Sequence, residues 1–562
     1  MKRKGRLKRR ILRFALGILV LVSILIAVYY FKVKAFAPNL GSEENYVATV
    51  EQIGQNAFKS DNGSWLVKSD DGIWDMYLTG KPYELGCNFG ALGENLSRQK
   101  EAAFIREIEN RIPSSWYLNI LKYFVGWFNR DLDDYILQPF KAEIYGLSHY
   151  MADEFDYIGP KYQRALSYHA AHDIGHALQN MNLVGCTSFA VKDSTTENGK
   201  LLLGRNFDFY FGDDFSKDQI VAFYRPDSGY QFMSITWAGF SGVVSGMNEK
   251  GLSITLNAAK SGIPAKGTTP VSIIAREVLQ YASNIDEAHQ IIASRPSFIA
   301  ETFLIGSAAD KRAALIEKST EKTAIFYQDQ SELIATNHFQ SDSLAQTPLN
   351  IEYMNEGVST YRQARVNQLI DSLKPLTETD ISVLLRDQKG QDGEDLGMGN
   401  EKAVNQLIAH HSVIFSPEEL MVWVSTPPFM LGKYRAYDLS RIFDVENPTA
   451  SPVDTSRIID FDPFLNTEAY SDYVYFLNTK ERIQTYLFSG KGEPLSVDEI
   501  DRFKNSNPNS FLTFYYLGEY FLKRDEFANA IEAFDKGLSL NVARESERKQ
   551  MRDGIEKAKS KL

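Results

Sequence analysis

The sequence predicts an α+β protein in which layers of helices pack against antiparallel β-sheets. Apolar residues recur with helical spacing over residues 100–180, and their period changes to two over residues 186–257. Helical spacing returns at about 270–294, and a second group of short strands follows over 302–336. Strands, then helices, then strands again are typical of layered α and β structure built on a pair of antiparallel sheets.

Polar, glycine-containing turns separate the first group of strands, for example Glu197-Asn198-Gly199 and Asn248-Glu249-Lys250-Gly251. Because each run follows the previous one after a short turn, we expect a single antiparallel meander. The predicted strands of this group are 186–191, 200–208, 220–224, 230–237, 243–247 and 252–257.

The later elements alternate between helices and strands. After position 360 the pattern is mainly helical, with one further strand. The predicted helices are 270–283 and 286–294, and the predicted strands are 302–306, 313–318, 323–327, 333–336 and 420–425.

Two stretches before position 186 are expected to have different environments. Residues 32–60 resemble a linker followed by an amphipathic start. Residues 116–127 are strongly apolar, but Asn119 and Lys122 interrupt them, so we expect this helix in the protein core rather than in a membrane.

The N-terminus has the pattern of a membrane anchor. Eight basic residues precede the uncharged run 14–31, which is just long enough to cross a bilayer as a helix. The basic flank predicts that the N-terminus stays in the cytoplasm and that the bulk of the chain lies outside it, on the periplasmic side or the cell surface. The alternative is a cleaved signal peptide and a secreted protein, since Ala35-Phe36-Ala37 resembles a cleavage site, although Pro38 disfavours cleavage there.

Composition excludes several classes of protein. The formal net charge of -11 gives no global basic footprint for nucleic acid, so no nucleic-acid partner is expected. Two cysteines in 562 residues exclude a disulfide scaffold, and the length allows two to four domains.

The C-terminal tail reads as a separate unit. Residues 450–472 are rich in Pro, Asp and Ser and are expected to be irregular. Apolar and small residues then recur at the spacing of one tetratricopeptide-like helical hairpin, at Phe514, Leu517, Gly518, Phe521, Ala530 and Phe534. One repeat cannot bury its own apolar face, so the hairpin must pack on the catalytic domain or on a protein partner.

Cys186 is the strongest candidate for chemistry. It follows Gly185 at the start of a predicted strand, and Arg205 and Asp208 follow within about one hairpin. If the chain breaks between Gly185 and Cys186, the new α-amine, with a pKa of about 7.7–8.0, can serve the thiol as a base. The alternatives are a buried structural cysteine, or a Cys87–Cys186 disulfide that would consume the nucleophile.

Five segments in order carry a family resemblance, over about 185 to 365. They are Gly185-Cys186-Thr187-Ser188; Gly204-Arg205-Asn206-Phe207-Asp208; Gly246-Met247-Asn248-Glu249-Lys250-Gly251-Leu252 with Asn257; Thr336-Asn337-His338; and Ser359-Thr360-Tyr361-Arg362 with Arg365. This region resembles the N-terminal-nucleophile (Ntn) amide hydrolases, especially the autoproteolytic group that includes isopenicillin N acyltransferase. It is more distantly similar to choloylglycine hydrolase and acid ceramidase.

The resemblance implies a four-layer αββα sandwich and a role for each matching residue. Cys186 would form an acyl-enzyme, Asp208 would hold the new α-amine and Arg205 would lie beside the sulfur. The remaining implied roles are oxyanion donors at Asn257 and Asn337, and a contact to the carboxylates of the site from Arg362 or Arg365. Because Cys186 lies far from the first methionine, the nucleophile requires internal self-cleavage.

Strand parity supports some of these positions and opposes others. Asn257 shares a face with Ser253 and Thr255, away from the apolar side chains of the same strand, so it points either to solvent or to the site. Arg205 and Asp208 are three positions apart, so both can serve one site only if a bulge or the strand end lies between them. Asn248 and Gly251 fit a hairpin turn better than catalysis.

The histidines give a weaker signal. His169, His172 and His176 have metal-ligand spacing on one helix face, but the segment lacks the glutamate of a metalloprotease helix. A packed face is therefore favoured, and we expect neither a metal nor a cofactor. His410-His411 precedes a strand and has no partner that the sequence identifies, and residues 390–399 read as an exposed acidic loop rather than a phosphate-binding loop.

The sequence therefore predicts a membrane-anchored cysteine amidohydrolase or acyltransferase acting on a small N-acyl substrate. The alternatives are a catalytically inactive binding protein of the same fold, or an ester or phospholipid hydrolase. The predicted domains are a basic segment with the anchor (1–40), a mostly helical segment released or retained after self-cleavage (41–185), the catalytic domain (186–450), and a linker with a helical tail (451–562).

Overall fold

The computed structural model of the chain shows helices and mainly antiparallel strands, arranged around two β-sheets. The predicted mixture of α and β structure is confirmed. The residues described are 2–112, 114–171, 173, 185–209, 211–260, 262, 264, 266–328, 331–444, 452–490 and 493–562.

The first sheet has eleven strands in the order β1-β2-β3-β4-β7-β8-β9-β10-β11-β12-β13. Its strands are β1 (Val50–Gly54), β2 (Ala57–Ser60), β3 (Trp65–Lys68), β4 (Trp74–Gly80), β7 (Ile220–Pro226), β8 (Phe232–Thr236), β9 (Ser245–Asn248), β10 (Leu252–Ala259), β11 (Ala300–Ser307), β12 (Arg312–Lys318) and β13 (Thr323–Phe326).

The second sheet has six strands in the order β14-β5-β6-β15-β16-β17. Its strands are β14 (Glu332–Ala335), β5 (Thr187–Asp193), β6 (Gly199–Phe207), β15 (His411–Ser416), β16 (Met421–Ser425) and β17 (Tyr434–Asp438). The meander predicted over residues 186–257 is therefore wrong as one sheet, because β5 and β6 lie in the second sheet and β7 begins in the first. Alternation identifies each strand, but it does not identify the partner of a strand.

The segment 41–185 is less helical than predicted, because it contributes β1 to β4 to the first sheet. β4 pairs with β7 in parallel, with Trp74 opposite Ile220, and every residue of β4 has a partner. A cut before Cys186 would leave this ladder intact, so the two fragments would remain hydrogen-bonded to each other.

Side chains of the two sheets share one hydrophobic cluster. Val221, Met233 and Leu304 of the first sheet and Leu203 and Val413 of the second sheet are fully buried in it. The polar side of β10 faces the second sheet, where the Ser188 hydroxyl donates to Asn257. Asn257 is fully buried, so of the two predicted directions, solvent or site, it does not face solvent.

Helices cover the other face of each sheet. The helix bounds are α1 (Lys2–Val33), α2 (Pro82–Leu92), α3 (Glu94–Arg111), α4 (Ser115–Phe128), α5 (Gln138–Ser148), α6 (Lys161–His169), α7 (Asp213–Ser216), α8 (Val271–Tyr281), α9 (Ile285–Ser294), α10 (Pro348–Asn355), α11 (Val358–Leu373), α12 (Glu378–Leu385), α13 (Leu439–Asp444), α14 (Glu468–Ser489), α15 (Val497–Ser506), α16 (Phe511–Lys523), α17 (Phe527–Leu538) and α18 (Glu545–Lys559). Ile274 of α8 belongs to the same apolar cluster as Phe303 of the first sheet, and Ile370 of α11 belongs to the same cluster as Ile414 of the second.

Two helices near the N-terminus are apolar and exposed. The stretch Ile11–Val33 of α1 is long and apolar enough to cross a membrane, and none of its most apolar part is buried. No residue of α4 is buried either, which corrects the prediction that residues 116–127 form part of the core. An apolar sequence predicts only that the helix is covered by something apolar. Whether the protein core covers it depends on which elements the fold places against it.

The C-terminal helices pack closely on each other and on residues that flank β15 and β16. A Cβ atom at Gly518 in α16 would lie 2.4 Å from the Phe534 ring of α17, so only glycine permits this approach. Leu407, before β15, and Leu431, after β16, belong to the same apolar cluster as Leu517, so the tail covers its apolar face on this part of the chain.

Candidate active site

Cys186 lies immediately before β5 and is fully buried. Its Sγ atom accepts a hydrogen bond from Nη2 of Arg205 at 3.8 Å, and its carbonyl oxygen accepts one from Nη1 of Arg362 at 2.6 Å. Burial raises the pKa of the thiol to about 11, and the charge of Arg205 opposes that rise. In the uncut chain the thiol is therefore protonated at neutral pH.

Arg205 is held by both sheets. It lies on β6 opposite Ser188, and its guanidinium donates to the carbonyl oxygens of Val244 at 3.0 Å and Leu256 at 2.5 Å. These carbonyls belong to the first sheet or the loop before it, so the cation is fixed where the two sheets meet. This orientation aims one amino group at the sulfur of Cys186.

His411 and Ser245 complete the surroundings of Arg205, and sequence reasoning missed both. Arg205 donates to Nε2 of His411 at 3.3 Å and to the hydroxyl of Ser245, and this hydroxyl lies 2.8 Å from the same nitrogen. His410 contacts His411 in turn, with the two Nδ1 atoms 3.1 Å apart. The partner that the sequence could not identify is therefore Arg205, which lies on a strand much earlier in the chain.

Asp208 reaches the same site because β6 ends at Phe207. Strand parity required either a bulge or the end of the strand between Arg205 and Asp208, and the structure has the strand end. Burial raises the pKa of Asp208 to about 8, and the charges of Arg362 and Arg205 oppose that rise. Oδ1 of Asp208 has no hydrogen-bond partner among the residues that the structure describes.

Gln406 links Gly185, which precedes the bond proposed for cleavage, to Asp208, and sequence reasoning missed this residue too. Its Nε2 atom donates to the carbonyl oxygen of Gly185 at 2.9 Å and to Oδ2 of Asp208 at 3.3 Å. The Gly185 amide donates to the backbone oxygen of Asp208 at 3.0 Å. A Cβ atom at Gly185 would lie 2.7 Å from Nε2 of Gln406, so close approach rather than positive φ requires this glycine.

The two asparagines predicted as oxyanion donors lie on β10 and just after β14. Asn257 donates to the backbone oxygen of Ala335 at 3.1 Å and accepts from the Ser188 hydroxyl at 2.6 Å. Asn337 donates to the backbone oxygen of Ala258 at 3.0 Å. Each amide thus bridges the two sheets close to the chain segment that follows Cys186.

The two arginines predicted near the site have different partners. Arg362 on α11 donates to Asn337 Oδ1 and to Cys186 O, both at 2.6 Å, so it holds neutral groups rather than carboxylates. Arg365 instead forms a two-pronged ion pair with Asp387, with both hydrogen bonds at 2.9 Å. The structure therefore brings Arg362 to Cys186 and directs the Arg365 guanidinium to Asp387.

A buried carboxyl near the site was not predicted. Both oxygens of Glu301 on β11 lack a hydrogen-bond partner in the described part of the chain, and burial and the charge of Asp173 raise its pKa. His172 and His176 of the proposed metal-ligand spacing lie outside the described residues. His169 bonds the Ala165 carbonyl and the Ser241 hydroxyl, and the described residues contain no group of three His, Cys, Asp or Glu side chains placed for a metal.

An apolar cleft of about 360 Å³ lies beside the site. Residues of α3, α4 and α6 line it, together with Phe209 and Phe211, which closely follow Asp208 in the chain. Its apolar walls would accommodate a hydrocarbon chain, because apolar surface is what such a chain buries favourably.

His410 makes the stability of the chain sensitive to acid. Burial lowers the pKa of its imidazole to about 3, so folding keeps it neutral where the unfolded chain takes up a proton below about pH 6.5. A depressed pKa contributes stability at high pH that is lost as the pH falls. We expect the unfolding free energy to fall by about 1.4 kcal/mol per pH unit between pH 6 and 4, relative to His410→Gln.

Denaturant unfolding of the full chain in detergent, at several pH values, measures this difference. The gap between parent and variant should be constant from pH 7 to 8, where the imidazole is neutral in both states. An equal acid sensitivity of the two proteins would show that His410 does not control it.

Part of the chain is similar to known proteins. Residues 194–427 match the family model described as acyl-coenzyme A:6-aminopenicillanic acid acyl-transferase. A protein of Archaeoglobus fulgidus is 27% identical over 293 residues, which cover 48% of this chain and 48% of that protein. The N-acylethanolamine-hydrolyzing acid amidase of Rattus norvegicus is 21% identical over 225 residues, which cover 39% of this chain and 56% of the amidase.

The chain spans about half the length of the curated relatives it matches. Among solved structures, a mutant of the conjugated bile acid hydrolase from Clostridium perfringens aligns with a TM-score of 0.32 and 15% identity. That alignment covers 48% of this chain and 96% of the hydrolase.

Proposed function

We propose that this chain is a self-cleaving cysteine amidohydrolase or acyltransferase. The match of residues 194–427 to the acyl-coenzyme A:6-aminopenicillanic acid acyl-transferase family model supports the proposal and agrees with the Ntn-hydrolase resemblance. One observation carries the proposal. The Cys186 thiol lies against Arg205, and the carbonyl of the preceding Gly185 is held by Gln406.

The first reaction is self-cleavage. Sγ of Cys186 attacks the carbonyl carbon of Gly185, the bond to the Cys186 nitrogen breaks, and that nitrogen takes up the thiol proton. Water then hydrolyses the resulting thioester and leaves a carboxylate on Gly185 and a free thiol on Cys186. Gln406 already donates to the carbonyl oxygen on which negative charge develops, which is where a fixed donor contributes most.

The cut supplies the base for the second reaction. The new α-amine of Cys186 has a pKa near neutrality, and the unpartnered Oδ1 of Asp208 is available to orient it. The α-amine takes the thiol proton, and the sulfur attacks the carbonyl carbon of the substrate amide. The C–N bond of the substrate breaks, the amine leaves with that proton, and the acyl group stays on the sulfur as a thioester. Water or a second amine then takes the acyl group and returns the free thiol. Asn257 and Asn337 would donate to the oxyanion, and Arg362 would hold Asn337 in place.

The substrate we propose is an amide with an apolar acyl group, such as an N-acyl amino acid or a lipid amide. The cleft beside Asp208 supports an acyl chain, because α3, α4 and Phe209 offer it apolar surface. α1 would anchor the enzyme in the membrane, with the two sheets outside the cytoplasm. The anchor would keep the enzyme next to amphiphilic substrates, which concentrate in the membrane.

We also propose the layer arrangement of the fold, the fate of residues 41–185 and the role of the C-terminal hairpin. A four-layer αββα sandwich is supported by the shared cluster between the sheets and by the helices packed on their outer faces. The β4–β7 ladder would retain residues 41–185 as a separate chain after the cut. The α16–α17 hairpin would serve as a tetratricopeptide-like unit seated on the catalytic domain.

Paired substrates test the reaction class. The purified chain should hydrolyse a fluorogenic amide with a long acyl chain, and a brief reaction quenched in acid should show the acyl mass on the fragment that starts at Cys186. A matched ester with the same acyl group is the control. Turnover of the ester alone would favour an esterase or phospholipase on this fold, and turnover of neither, without an acyl adduct, would favour an inactive binding protein.

A further inference from the structure

Helix α4 is strongly apolar and has no buried residue. Trp116 is 72% exposed, Phe124 60% and Tyr123 56%. Exposing this much aromatic surface to water is unfavourable, so such a patch marks a surface that another apolar phase covers.

The helix has two distinct faces. Leu118, Leu121 and Val125 line the cleft beside the site, and Lys122 donates to the Tyr157 carbonyl at 3.2 Å. The outward face carries the large exposed side chains at steps of three and four: Trp116, Tyr117, Ile120, Tyr123, Phe124 and Trp127.

The outward face is continuous with the end of α1. The hydroxyl of Tyr29 donates to the Tyr123 carbonyl at 2.9 Å, and the Tyr29 and Trp127 rings stack with centroids 6.1 Å apart. A Cβ atom at Gly126 would lie 2.9 Å from Val33, so the two helices touch closely. These contacts involve the last two turns of the stretch that is apolar enough to cross a membrane.

We propose that the outward face of α4 lies in the interfacial layer of the bilayer that α1 spans. The proposal rests on the anchoring of α1 proposed above, because a helix in contact with the last turns of a span must lie at the level of the lipid headgroups. Trp and Tyr are the residues that favour this layer, and Arg130, stacked on Trp127, and Lys32 can reach the phosphates.

This placement gives the cleft a lipid neighbour. The cleft lies on the opposite side of α4, and a helix with its side chains is about 10 Å across. A substrate whose tail resides in the bilayer would therefore meet the cleft within one helix diameter of the membrane surface.

Tryptophan quenching in vesicles tests the location of α4 without using activity. The full chain is reconstituted in vesicles made of lipids with brominated acyl chains. Bromine quenches the fluorescence of tryptophans that touch the lipid. We expect the parent to be quenched relative to plain vesicles and the Trp116→Phe/Trp127→Phe variant to lose that quenching. Trp65→Phe, which removes a buried indole of the first sheet, should leave the quenching unchanged.

The outcomes separate this proposal from the ones it rests on. Unquenched Trp116 and Trp127, in a chain that resists extraction by alkaline carbonate, would overturn the seating of α4 alone. A chain released by carbonate would overturn the anchor, and α4 with it. The chemistry at Cys186 is read separately, from the fragment masses.

A charge on the outward face provides a second test. Phe124→Asp should slow the hydrolysis of a long-chain amide held in vesicles and leave a short, water-soluble amide unaffected. The matched control is Phe488→Asp, which changes a similarly exposed phenylalanine in the C-terminal tail. Equal loss on both substrates, or an equal effect of both variants, would contradict a membrane role for α4.

Discussion

We expect Cys186→Ala to leave the chain uncut and to lower its amide hydrolase activity by a factor of about 10⁴ or more. Alanine offers neither the sulfur that attacks Gly185 nor the nucleophile that forms the acyl-enzyme. The parent should give a larger fragment that begins at Cys186 and ends at Leu562, and both fragments should copurify because the β4–β7 ladder joins them. Intact mass and N-terminal sequencing of the two proteins measure this directly.

The matched control is Cys87→Ala, which removes the other cysteine of the chain. Cys87 is also buried with a free thiol, and burial likewise raises its pKa to about 11, but it packs in a separate apolar cluster. This variant should cleave and react like the parent. A parent that is uncut and yet hydrolyses amides at the same rate as Cys186→Ala would refute the mechanism.

We expect Gly185→Val to slow self-cleavage by about 100-fold or more and to retain the fold. A Cβ atom at this position would meet the Gln406 amide at 2.7 Å, so the donor must move away from the carbonyl oxygen that it holds. Loss of one oxyanion donor typically costs a factor of about 10²–10³ in rate. The time course of fragment appearance after synthesis, followed by gel and mass, measures the effect.

Two companion variants identify the cause. Gly159→Val should cleave normally, because nothing lies within 4 Å of a Cβ atom built there. Gln406→Ala should reproduce the slow cleavage without any clash at Gly185. If both Gly185→Val and Gln406→Ala cleave at the parental rate, the hydrogen bond from Gln406 has no part in the reaction.

Much of the candidate site could be predicted from the chain because its parts lie on recognisable local structure. Cys186 after a glycine, Arg205 in a strand and Asn257 on the polar side of β10 all follow from alternation within a few residues. The sequence also showed that Arg205 and Asp208, three positions apart, would lie on opposite faces of an ideal strand. Because β6 ends before Asp208, both reach the same site.

Gln406 and His411 could not be predicted, because most of the catalytic segment separates them in sequence from Cys186 and Arg205. No local pattern relates such positions, and only the pairing of β15 with β6 brings His411 to the arginine. The same applies to β1 to β4, whose short strands gain their partners from a parallel ladder with β7.

The sequence by itself determined the anchor-like N-terminus, most of the strands after position 186, and Cys186 as the candidate nucleophile with its nearest residues. These properties depend on hydrophobic period and on side chains close together in the chain. Only the tertiary structure decided which sheet each strand joined, which of Arg362 and Arg365 contacted Cys186, and whether the apolar helix α4 was buried. Those outcomes depend on contacts between distant segments, and the side-chain pattern of either segment alone does not encode them.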